Sequence, residues 1–163
     1  MGKVGSALNL LGKPIGALGD LVSKYNFDSI KIKETNKTEK LYHTSDSKPM
    51  ISDEEERLIP QSLSTTTSPD YIFGNVAYEL ELPKGAKVVE VNNIEDLIPD
   101  DANLDNLSLA ELKNYTPMNI GKALRDFAII NNLDAIRVKN VFGLRDGETA
   151  VINPQIVNNY KVK

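Results

Sequence analysis

The chain has 163 residues, 40% hydrophobic and 26% charged, with a net charge of −4 and a sequence pI near 5.1. That length suits one domain with a short appendage, and the acidic balance excludes a general nucleic-acid binder, which needs a basic face to neutralise phosphates. The absence of cysteine removes disulfide and thiolate chemistry, and a single histidine without ligand spacing around it gives no footing for a zinc site.

Residues 1–27 stand apart as an apolar, glycine-spaced arm. Val4, Leu8, Leu11, Ile15, Leu18 and Val22 recur at helical spacing. Gly2, Gly5, Gly12, Gly16 and Gly19 weaken such a helix by about 1 kcal/mol each. An arm of this kind needs a surface: its own domain, a partner or a membrane. Met1-Gly2-Lys3-Val4-Gly5-Ser6 fits the short myristoylation pattern, with docking on protein the preferred reading. Gly12, Lys13, Pro14 and Gly16 interrupt the apolar stretch, so no signal peptide is expected. No apolar run reaches the roughly 20 residues of a transmembrane helix.

The remainder, 28–163, reads as one domain. Leu41-Tyr42-His43 is a short strand, and the acidic run Asp53-Glu54-Glu55-Glu56 a solvated connection. Residues 62–66 form a threonine-rich strand. Ser68-Pro69-Asp70 opens a short helix, with Ser68 as cap and Pro69 at its first position, and Gly74 closes it. Residues 76–82 alternate as a half-buried strand. A turn at Pro83-Lys84-Gly85-Ala86 leads to a second strand over 87–91, and the two read as a hairpin. Short helical pieces follow near 94–98 and 108–115, then a firmer helix over 118–131 with Ile120, Leu124, Phe127 and Ala128 as its apolar stripe. Strands over 135–138 and 148–152 and a terminal strand within 159–162 complete the chain. Strands outnumber helices without a regular βαβ rhythm, so the expected class is α+β.

Three polar stretches carry the chemistry. His43, the sole histidine, ends a strand and precedes Thr44 and Ser45. A neutral imidazole donates to one oxygen and accepts from another, which suits a ribose hydroxyl or a carboxamide; a satisfied structural histidine is the plainer reading. Ser64, Thr65, Thr66 and Thr67 are either an ordinary threonine-rich strand or a polar strand feeding a helix start that attracts pyrophosphate. Tyr71 offers a ring for stacking, or simply a core contact. Glu148 stands nearly alone before Thr149-Ala150-Val151-Ile152. A carboxylate at the mouth of a core strand stabilises an oxocarbenium-like centre, whereas an exposed edge glutamate would do nothing. Asp146 sits two residues earlier, which allows a carboxylate pair. No nucleophile elbow, P-loop or dinucleotide-binding glycine motif is present.

In this order, Leu41-Tyr42-His43-Thr44-Ser45, then 63–71 from Leu63 to Tyr71, and finally Gly147-Glu148-Thr149-Ala150-Val151-Ile152-Asn153-Pro154 resemble the ADP-ribosyltransferase superfamily, in particular its small phage-borne and toxin-associated members. The resemblance covers roughly 38–157 and leaves the arm outside. It implies a mixed and antiparallel split β-sheet core with short helices. It also implies NAD as substrate and ADP-ribose as the transferred group. His43 would bind the adenosine-side ribose and Thr44 would present backbone to the nicotinamide amide. Tyr71 would stack on nicotinamide, with Ser64 and Thr65 lining the site. Glu148 would hold the nicotinamide ribose and stabilise the cation, with Ser64 supporting it. Thr44 replaces the glycine common in the histidine branch, no arginine opens the first motif, and Asp146 is shorter than the Glu or Gln of arginine-modifying members.

The functional expectation is a mono-ADP-ribosyltransferase acting on a protein of a bacterial host, carried in a virion or delivered into the host cytoplasm. The alternative is a weak or inactive ADP-ribosyltransferase-fold protein serving structurally in a phage virion and docked through residues 1–27. A third reading, a toxin that consumes NAD without a protein acceptor, needs the same site.

Overall fold

The structure, a computed structural model, describes residues 24–51, 58–67, 76–139 and 148–162. The arm up to residue 23, the helix start at Ser68-Pro69-Asp70 with Tyr71, and Asp146 lie outside the described residues. The protein is mixed α+β, with two sheets and a few short helices.

The strands are β1 Lys31–Glu34, β2 Glu39–Ser45, β3 Leu63–Thr65, β4 Val76–Leu82, β5 Lys87–Val91, β6 Ala135–Val138, β7 Glu148–Val151 and β8 Lys161–Val162. The helices are α1 Leu109–Leu112, α2 Pro117–Ile130 and α3 Pro154–Asn158, with single 3-10 turns between elements. One sheet has the order β1-β5-β6-β7-β3 and the other β2-β4-β8. Only β5 and β6 run parallel, joined by the crossover that contains α2; the other pairings are antiparallel. The sheets meet at one seam, where Tyr42 and Thr66 exchange two backbone hydrogen bonds of 2.9 Å.

α2 is the helix its sequence spacing requires. Thr116 caps its amino end by accepting from the Asn119 amide, and Pro117 occupies the first turn, where its missing N–H costs nothing. Ile120, Ala123, Leu124, Phe127 and Ala128 are buried on one face. The far end closes as a Schellman motif. Asn132 takes φ 54°, its amide donates to Ile129, and the Leu133 amide donates to the Ala128 carbonyl. Gly121 is a packing requirement, because a Cβ there would lie 1.7 Å from the Leu58 carbonyl oxygen.

Alternation along the strands divides the core into two layers. Val89, Val91, Ile136, Val138 and Ala150 face α2, together with Tyr25, Phe27 and Leu97. Leu63, Val88, Ala135 and Val151 face the second sheet, where Leu41, Leu80 and Leu82 meet them. Phe27 stacks on Phe127 with ring centroids 4.8 Å apart. Tyr25 and Phe27 belong to the packed body, although they fall within the 1–27 bounds of the arm.

The hairpin expected over 76–91 does not form. β4 and β5 are consecutive but enter different sheets. The turn between them is gripped from outside: Thr35 Oγ1 donates to the Pro83 carbonyl, and the Gly85 amide donates to the Thr35 carbonyl. β5 is buried from Val88 to Val91 on both faces, so it needs the central position between β1 and β6 and cannot lie at β4's side. Among the described residues, no helix is long and apolar enough to cross a membrane.

Candidate functional site

The strands that carry His43, Ser64 and Glu148 lie side by side. β2 meets β3 at the Tyr42–Thr66 seam, and β3 pairs with β7 through Leu63–Val151, Ser64–Ala150 and Thr65–Thr149. One short strand thus separates the histidine strand from the glutamate strand, across a sequence distance that no local pattern bridges.

His43 is half-buried on β2, opposite Tyr78 of β4. Its Nδ1 lies 2.8 Å from the Ser64 carbonyl oxygen. A carbonyl only accepts, so Nδ1 carries the proton and, in the neutral ring, Nε2 is the basic nitrogen. The contact fixes both tautomer and ring orientation. Tyr78 is itself buried, with its ring edge-on to Tyr160 at a centroid distance of 5.4 Å.

Glu148 opens β7 opposite Val138 of β6. It is 8% exposed, and no edge residue. A carboxylate in that setting is surrounded by low dielectric, where its effect on a neighbouring positive charge exceeds that in water. Alternation puts it on the same face as Ala150, hence on the face of Ser64, which lies diagonally across on β3. Ser64 is half-buried there, well placed to support the glutamate.

The remaining candidates separate. Thr65 is 1% exposed, and its hydroxyl donates to the Thr149 carbonyl at 2.6 Å. It points into the layer between the sheets and welds β3 to β7; a cofactor has no access to it. Thr44 is on β2 opposite Ala77, with its side chain on the face opposite to that of His43. Only its backbone is suited to the amide-binding part the resemblance implies. Tyr71 and Asp146 lie outside the described residues, so the stacking ring and the carboxylate pair have no placement.

The layer between the sheets contains a charged group that no motif in the sequence marks. Arg137 donates from Nε to Thr149 Oγ1 and from Nη2 to Glu39 Oε2, both at 3.0 Å. Glu90 is nearby, with Lys33 Nζ 2.7 Å from its Oε2. That contact is close but poorly aligned: Oε2 is buried without a well-formed hydrogen bond, so we regard it as charge-paired only. Burial pushes the Glu90 carboxyl up, but Lys33, Lys139 and Arg137 together pull it below the ordinary carboxylate range. Lys33, Glu34, Thr35, Glu39, Glu90 and Arg137 line a hollow of about 210 Å³. The available signal was one arginine inside Ala135-Ile136-Arg137-Val138, where a lone cation in an apolar strand requires a partner.

A larger cleft of about 580 Å³ lies beyond the opposite end of β7, bounded by Ile129, Leu133, Asp134, Ile152 and Asn153. Asp134 is the one carboxylate among its described lining residues, and both oxygens are engaged, by the Lys87 amide and the Asn153 side chain at 2.8 Å each. That engagement marks a structural joint. Among the described residues, no cluster of His, Asp and Glu is arranged to hold a metal ion. No protein-family model, curated protein or solved structure matches this chain.

Proposed function

We propose that this protein is an NAD-dependent mono-ADP-ribosyltransferase with an ADP-ribosyltransferase-like split sheet, acting on a protein of a bacterial host. The observation that carries the reading is the position of β3, which is bonded to the histidine strand on one side and to the glutamate strand on the other. The three motif strands of the resemblance thereby become neighbours at the seam of two sheets.

The chemistry follows from the residues. The bond between the ribose C1′ and the nicotinamide nitrogen breaks, its electron pair leaves with nicotinamide, and positive charge develops at C1′. The Glu148 carboxylate, shielded from water, opposes that charge as it forms and holds the ribose hydroxyl, with Ser64 supporting it. His43, oriented by the Ser64 carbonyl, faces the adenosine-side ribose. A nucleophile of the acceptor then bonds to C1′ and releases its proton to solvent.

The test uses labelled NAD and bacterial lysate. Wild-type protein labels at least one lysate protein, and Glu148→Gln lowers labelling by about 10²-fold or more, as loss of a charge-stabilising group does. Equal labelling by the two proteins, or none by wild type, would overturn the reading. Nicotinamide release without lysate would show that water serves as acceptor.

A further inference from the structure

We infer that Arg137 is a positioning residue that sets the angle at which the histidine strand leaves the five-stranded sheet, and so the position of His43 against that sheet. Its consequence for NAD rests on the transferase reading; the mechanical part stands without it.

Two polar attachments, beside the apolar packing of Leu41, tie β2 to the five-stranded sheet. One is the seam, where Tyr42 pairs with Thr66 and His43 bonds to the Ser64 carbonyl. The other is Glu39, bonded to Arg137. Four residues of extended chain separate His43 from Glu39, about 13 Å at the usual rise per residue. A strand attached once can pivot, whereas one attached twice has a defined direction. Leu41 is fully buried between the two attachments.

The second attachment is built for rigidity. From one planar guanidinium, Nε goes to β7 and Nη2 to β2, a divergent pair of bonds that the single ammonium of lysine cannot copy. Thr149, which receives Nε, follows Glu148 directly and also accepts from Thr65 through its carbonyl. The Arg137 and Glu39 side chains are 18% and 29% exposed, so the pair is only partly screened by water. The guanidinium also separates two carboxylates, since Glu39 and Glu90 line the same hollow. Without it, like charges push β2 away from the sheet.

The sole histidine makes a direct test. Its imidazole gives the only ring-nitrogen signals of that type in the protein, and a long-range proton–nitrogen NMR spectrum reads whether Nδ1 holds the proton. Wild type should show that tautomer. Arg137→Gln and Glu39→Ala should reduce or shift it, with Arg137→Lys intermediate, although thermal unfolding shows each variant folded. In NAD turnover the same variants should raise KM about tenfold and change kcat less than about threefold, because β7 keeps its own ladders and Glu148 its place. Unchanged histidine signals in folded Arg137→Gln would overturn the inference. If that variant does not fold, unchanged signals in Glu39→Ala would overturn it alone. A wild type inert toward NAD would sink the transferase reading, and the spectra would still decide the positioning claim.

Discussion

The two faces of the five-stranded sheet are built from alternate residues of the same strands, yet their interiors differ in kind. Under α2, valines, isoleucines and an alanine meet a helix stripe and the Phe27–Phe127 stack. Against the second sheet, Val88, Ala135 and Val151 share their face with Glu90, Arg137 and Thr149. A helix offers a continuous apolar stripe and can seal a face completely. A second sheet joined along one seam diverges from the first, and polar groups occupy the widening gap, bonded to one another. Stability should therefore reside mainly on the helix side, and the polar bonding that directs β2 mainly on the other.

Substitutions on the two faces can break that division. Phe127→Ala removes a fully buried ring and its stacking contact with Phe27, and should cost about 3–5 kcal/mol in denaturant unfolding. A loss no greater than that from a polar substitution on the opposite face would contradict the division. Thr65→Val deletes the hydroxyl that welds β3 to β7 and should cost about 1–3 kcal/mol by the same measurement; a neutral result would mean that the bond contributes nothing.

The smallest effect concerns Glu90. Its folded-state carboxyl titrates below the ordinary range because Lys33 and its neighbours outweigh burial. Its contribution is therefore complete above the unfolded carboxyl value and is lost as pH falls through the folded one. Glu90→Gln should flatten the decline of the unfolding midpoint in that acid window and leave the slope near neutrality alone. The change should be modest, since the Lys33 side chain is 55% exposed and its attraction is screened. Parallel acid profiles would show that the charge has no part in stability.

Much of the fold was legible in the sequence where one element decides its own structure. The α2 stripe and the strands around His43, Thr65, Ile136 and Ala150 all follow from local periodicity, whereas the Thr116 cap and Pro117 start lie just ahead of the 118–131 span that periodicity marks. Pairing was not legible in the same way. The turn at Gly85 looks like any hairpin turn, and only the burial of β5 on both faces, a tertiary fact, sends its strands to different sheets. In the candidate site, the polarity of His43, Ser64 and Glu148 was visible, but not that Ser64 supplies a carbonyl to His43. Thr65 and Ser64 are adjacent and alike in sequence, and alternation across a strand turns one inward to a backbone carbonyl and the other toward the glutamate. Arg137 escaped notice because its partners, Glu39 and Thr149, are far from it in one direction and across a loop in the other.

The shortness of β3 has a kinetic consequence. Three residues of strand acquire their ladder partner β7 only when chain 84 residues further on arrives, as the Thr65–Thr149 contact shows. Local gains before that encounter are small and the entropy of closing so long a loop comes first. The junction of β3 with β7 should accordingly be among the last parts to assemble, after α2 has gathered its own layer. A newly made molecule would then pass through a stage in which the helix-side layer is formed and β3 still lacks β7.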